Sequence, residues 1–154
     1  MFKVFVSITI SMVSHTPALG SDGRITIESS HMVFFTTDRR EGILKEKGMT
    51  VFSRIDHAAG AAGIDKTLVP TILFIFDNPR ISKDLMKCGR TSGIDLPLKA
   101  LILENERGRV KLTHSDPLFI ADRQGITQRG GVIEKTSNTS KGTAEKTSKQ
   151  YVCA

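Results

Sequence analysis

The stretch Met49-Thr-Val-Phe-Ser-Arg-Ile-Asp56, running on into His57-Ala-Ala-Gly-Ala-Ala62, is followed closely by Pro70-Thr-Ile-Leu-Phe-Ile-Phe-Asp-Asn-Pro79. β-Branched and aromatic residues fill both stretches, with Gly48 before the first and Asn78-Pro79 after the second, so each reads as a strand. Strand side chains alternate between faces. In the first strand Val51, Ser53 and Ile55 are expected on one side, with Phe52, Arg54 and Asp56 on the other. The Ala/Gly run between the strands has the composition of a helical turn.

Working outward, Arg24–Glu28 alternates apolar and polar residues as a strand does. Phe34–Lys47 turns helical in composition and meets Gly48, a natural helix stop. Its apolar face is poor, because Phe35, Ile43 and Leu44 are interrupted by Arg39, Arg40 and Gly42. Downstream, Ile81–Cys88 reads as a short helix, Leu98–Glu104 as a strand, Asn105–Gly108 as a hairpin loop and Arg109–His114 as the partner strand. Ser115-Asp116-Pro117 is a helix start, with a capping residue before an early proline. Strands at hairpin spacing with helices between and after them predict an α+β domain on a largely antiparallel sheet.

The strands 71–77 and 98–104 carry apolar residues on both faces: Leu73 and Ile75 against Ile72, Phe74 and Phe76, then Leu101 and Leu103 against Ala100 and Ile102. An antiparallel sheet with one wet face shows polar residues on that side. The second apolar face therefore predicts a further covering layer, a homodimer partner or an apolar pocket.

The two ends differ from this middle. Lys3, the apolar run Val4–Val13 and the small residues of Pro17-Ala-Leu-Gly20 have the order of a secretory signal peptide over residues 1–20. The expectation is a periplasmic or secreted chain with no stable membrane anchor once the signal is removed. From Thr136 to the end the chain is rich in Ser, Thr and Lys, and residues 136–154 are expected to be a polar tail, weakly helical or disordered. Residues 21–135 make the single folded domain. Of two cysteines, Cys88 and Cys153, the second stands next to last, and no Cys-x-x-Cys motif occurs. The formal net charge is +6, but basic residues are scattered among acids. Without a basic stripe or a zinc-finger spacing, nucleic-acid binding is not expected.

At Val51-Phe-Ser-Arg-Ile-Asp-His57, Pro70-Thr71, Asn78-Pro79, Leu85-Met86, Gly93-Ile-Asp-Leu-Pro-Leu-Lys99 and Asp116-Pro117, the sequence resembles the bacterial domain of unknown function 302 family. The resemblance implies a β-α-β(4)-α fold grouped with TATA-binding-protein-like folds, and a homodimer, without a reaction. The shared fold class does not imply DNA binding. Arg40 and Gly42 stand where members usually have Leu and Ala, Ser115 replaces the usual Asn, and the last helix is unusually polar.

Candidate chemistry gathers at Arg54, Asp56 and His57, with Asp95, Lys99, His114 and Asp116 at other strand ends. Arg54 and Asp56 are about 7 Å apart along one strand face, within reach of a lateral ion pair. A histidine beside a carboxylate suits proton transfer, so one reading is an enzyme using His57 with Asp56 as acid and base. The other reading is a ligand-binding or purely structural cluster, with Asp56 capping the Ala-rich turn. His57, His114 and Asp116 are ligand types for a metal, but no His-x-x-x-His spacing occurs and no metal is expected. Ser53, Ser92 and Cys88 lack nucleophile motifs, and no phosphate loop, dinucleotide fingerprint or other cofactor signature is present. The site residues thus favour a dimeric binding or accessory domain for a small ligand or partner protein, with no catalytic residue assigned.

Overall fold

The computed structural model describes residues 22–127 and 130–149. The proposed signal peptide and Cys153, and with it any pairing with Cys88, lie outside these residues. Five strands form one antiparallel sheet in the order β1-β5-β4-β3-β2: β1 Arg24–Ser29, β2 Thr50–Asp56, β3 Thr71–Asp77, β4 Leu98–Glu104 and β5 Val110–Ser115. The α+β expectation holds. The two edge strands are joined by helix α1, Val33–Glu46, which crosses the sheet. Its end closes as Gly48 suggested: Gly48, at φ +67°, donates its N–H to the Lys45 carbonyl, and Met49 N–H reaches Leu44. Only a glycine enters that left-handed conformation without strain.

The helix-facing side of the sheet carries the core. Ile72, Phe74 and Phe76 of β3, Leu98, Ala100 and Ile102 of β4, and Val110 and Leu112 of β5 pack with Val33 and Leu44 of α1. Ile120 of α4 (Pro117–Arg123) and Ala144 of α5 (Gly130–Ser148) complete this cluster. Helices α2 (His57–Ala62) and α3 (Pro79–Cys88), with a 3₁₀ turn over Arg90–Ile94, fill the connections. Asp116 caps α4 as expected, accepting from Leu118 N at 3.0 Å with Pro117 at the first helical turn.

Two expectations are corrected. A bulge between Val51 and Ser53 breaks the alternation of β2. Val51 pairs with Phe76 and packs on the core, whereas Ser53 and Ile55 pair with Ile75 and Leu73 on the opposite face. The extra residue of a bulge resets which side each neighbour points to, and it leaves Phe52 exposed.

The second correction concerns the tail. The expected boundary at residue 136 falls inside α5, a continuous helix to Ser148. Its buried residues Ile133, Thr136, Ser137, Ser140, Thr143, Ala144, Thr147 and Ser148 recur at helical spacing. They are small and mostly polar, so the stripe carried no hydrophobic period to read. Two of the threonine hydroxyls are met within the helix: Thr143 Oγ1 donates to Ser140 O and Thr147 Oγ1 to Thr143 O, both at 2.8 Å, while Ser148 Oγ has no partner among the described residues. At the C-terminal end, Ser30 N–H donates to Ser148 O at 2.9 Å, Arg39 Nη2 to Lys146 O at 2.9 Å and His31 Nε2 to Lys149 O at 3.1 Å. The carbonyls a helix end leaves open are thereby met from the β1–α1 connection and from α1 itself.

Candidate functional site

The register divides the seven sequence-selected residues. Arg54, Phe74, Ala100 and His114 occupy one row across β2, β3, β4 and β5. Three strand spacings, about 14 Å, separate the first from the last. Asp56 and His57 stand at the end of β2 near Thr71 and Leu103, while Asp95, Lys99 and Asp116 belong to the opposite end of the sheet. Sequence reasoning grouped them because all lie near strand ends, and an antiparallel sheet has two.

Each group is engaged locally. Arg54 does not pair with Asp56. Its Nη1 reaches across to α1, donating to Asp38 Oδ1 at 2.7 Å with Glu41 Oε2 at 3.6 Å. Register puts Arg54 on the helix-covered side, next to acids that only the fold brings there. Glu41 also takes Lys45 at 2.6 Å, and that hydrogen bond is the largest cause lowering its carboxyl pKa. Asp56 Oδ1 accepts from Ala59 N at 3.0 Å, so its carboxylate caps α2. His57 is exposed at the first position of that helix.

At the other end Asp95 accepts from Arg123 Nη1 at 3.0 Å and Gln124 Nε2 at 2.8 Å. Lys99 Nζ donates to the carbonyls of Asp95 at 3.1 Å and Pro97 at 3.0 Å. This network ties the turn before β4 to α4, across the cis Leu96–Pro97 bond. Asp116 also accepts from Ser137 Oγ at 2.8 Å, linking α4 to α5. Among the described residues no group of three or more His, Cys, Asp or Glu side chains gathers as a metal site would require.

His114 is different. It is 2% exposed on β5, Nδ1 donates to the Ser115 carbonyl at 3.0 Å, and Nε2 has no partner among the described residues. Burial is the largest cause holding its pKa below the ordinary histidine value, and the charge of Arg40 adds to it. Arg40 was not among the sequence-selected site residues. It is fully buried in α1, its Nη1 donates to Thr143 Oγ1 of α5 at 2.9 Å, and its Cζ lies 5.3 Å from the Phe76 ring centroid. Among the described residues its Nε and Nη2 have no partner. The available signal was its spacing: Val33, Thr36, Thr37, Arg40, Ile43 and Leu44 form one buried helical stripe with a cation at its centre.

Comparisons with known proteins follow this architecture. The family model "Domain of unknown function DUF302" matches residues 25–142. A solved structure of an uncharacterized conserved DUF302 protein from Bacillus stearothermophilus superposes with TM-score 0.67 at 15% identity, covering 83% of this chain and 97% of that one. This likeness concerns the fold. The chain is also 42% identical over 124 residues to proteins named Fluoride-specific ion channel FluC 1 from Brucella suis and Brucella abortus, covering 80% of this chain. It spans 49% and 46% of those relatives, about half their length. No helix among the described residues is long and apolar enough to cross a membrane. With the family model matching well over half its length and the fold shared, this chain belongs to the DUF302 family.

Proposed function

We propose that this chain is a homodimeric binding or accessory domain, periplasmic or secreted, that serves a small ligand or a partner protein and dimerises through the sheet face turned away from α1 and α5. The observation carrying this reading is the chemistry of that face. Ile55, Leu73 and Leu101 run in register across β2, β3 and β4, with Ile75 and Leu103 beside them. All five are only partly covered. On β5 and β1 the same face turns polar, with Lys111, Thr113, Thr26 and Glu28. An apolar centre with a polar margin is how dimer interfaces are built, and two such sheets stack about 10 Å apart. The relatives add support for an accessory role, because in them a homologous unit makes up about half of a longer protein. The channel activity in their names stays with them. The compartment rests on the signal-like first twenty residues.

No observation favours the acid–base reading of His57 with Asp56, since the Asp56 carboxylate is occupied as a helix cap. Sedimentation equilibrium of the purified chain is expected to give a dimer at micromolar concentration. Leu101→Lys is expected to give a folded monomer with an unchanged circular dichroism spectrum. A wild-type monomer throughout that range rejects the dimer, and recovery of the expressed chain in the cytoplasmic fraction rejects the compartment.

A further inference from the structure

The α1–α5 seam holds a full positive charge without a negative one. Arg40 is fully buried, and among the described residues no carboxylate pairs with it. Burial is the sole cause shifting its pKa, down to about 10, so it is a cation at neutral pH. The seam offers hydroxyls from Thr37, Thr143 and Thr147, but these already donate to helix carbonyls. The face of Phe76 compensates only part of a buried charge. A leucine, the residue its family resemblance leads one to expect there, would fill the same stripe without that penalty. His114 completes the picture. With Nδ1 donating to Ser115 O, its neutral tautomer turns an unpartnered Nε2 lone pair into the interior.

We propose that Arg40 anchors a binding site for one small monovalent anion, of halide or nitrate size, held between α1 and α5 by the guanidinium Nε and Nη2. One negative charge is what the seam lacks, and two unpartnered N–H donors are what such an ion requires. The site names a ligand class for the binding reading above and rests on that reading, but it uses the helix-covered side of the sheet and not the dimer face. The groups acting on His114 are Arg40, which disfavours its protonation, and Asp116 and the Ser115 carbonyl, which favour it. An anion at Arg40 cancels the first, so binding raises the proton affinity of His114.

The test is thermal unfolding of the purified chain in sodium fluoride, chloride or nitrate against sodium gluconate at equal ionic strength. At least one small anion is expected to raise Tm saturably, by about 4 °C at ten times its Kd. Arg40→Leu is expected to abolish that response, and the His114 imidazole midpoint, followed by NMR, to rise on adding the ion to wild type. Equal Tm in all four salts overturns the site, as does a response retained in Arg40→Leu. Should Arg40→Leu fail to fold, an unmoved His114 midpoint in wild type overturns it alone. Sedimentation of the same samples separates the two readings: a dimer without an anion response rejects the site, and a responding monomer rejects the dimer.

Discussion

At His114, burial holds the imidazole below its ordinary pKa of 6.5, and this has a sign that can be checked. The folded chain resists the proton that the unfolded chain accepts near the ordinary value, so the unfolded state binds more protons as pH falls. The contribution of neutral His114 is fully present above about pH 7 and is lost as pH drops below 6.5 toward the lowered folded value. His114→Gln is therefore expected to flatten the pH dependence of unfolding free energy between about pH 7 and 5, measured by urea denaturation. An unchanged slope would show that protonation of this side chain is not resisted. Asp116 invites a second substitution, because one carboxylate caps α4 and receives Ser137 from α5. Asp116→Ala removes both bonds and is expected to destabilise by about 2 kcal/mol. A loss below about 0.5 kcal/mol in denaturant titration would show these bonds to be energetically idle.

Helix α5 shows at the element scale how a stretch of poor helix formers becomes regular structure. Ser, Thr and Asn compete with helix hydrogen bonding in isolated chains, so local propensity is weak here. Packing reverses this, because small side chains at helical spacing bring α5 close to α1, and the β1–α1 connection and α1 itself satisfy its final carbonyls. Ala144 is fully buried in the core cluster, where added volume strains close packing, and Ala144→Leu is expected to destabilise by about 1–3 kcal/mol. On the exposed side of the same helix, Asn138→Ala is expected to stay within about 0.5 kcal/mol of wild type. Equal effects at the two positions, read by thermal or urea unfolding, would mean that α5 does not dock as described.

Across the whole molecule, the sheet has two faces with different fates. One is covered by α1, α4 and α5, and the other leaves Leu73, Ile75, Leu101 and Leu103 partly exposed. If a second copy covers that face, folding and association are linked, and Tm rises with protein concentration by mass action. Wild type is expected to show this rise and Leu101→Lys to lack it. The same arithmetic keeps the two proposals apart, since an anion raises Tm at fixed protein concentration and a partner copy raises it at fixed salt.

The sequence by itself determined the strands, their hairpin connections, the Gly48 stop and the Asp116-Pro117 start, because period-two alternation and cap chemistry are local properties of a few neighbouring residues. It also identified Asp56 as a possible cap for the Ala-rich turn. Only the tertiary structure decided which charges meet. Arg54 turned from Asp56 to Asp38 and Glu41 because α1, sixteen residues away in the chain for Asp38, lies over its face of the sheet. The bulge at Phe52 and the docking of α5 escaped sequence reading for a related reason. One depends on pairing with β3, the other on a surface that accepts hydroxyls as readily as methyl groups. Arg40 belongs here too: an arginine within a helix is ordinarily a solvent-facing residue, and only the packing of α5 against α1 buries its charge and leaves two donors unpartnered.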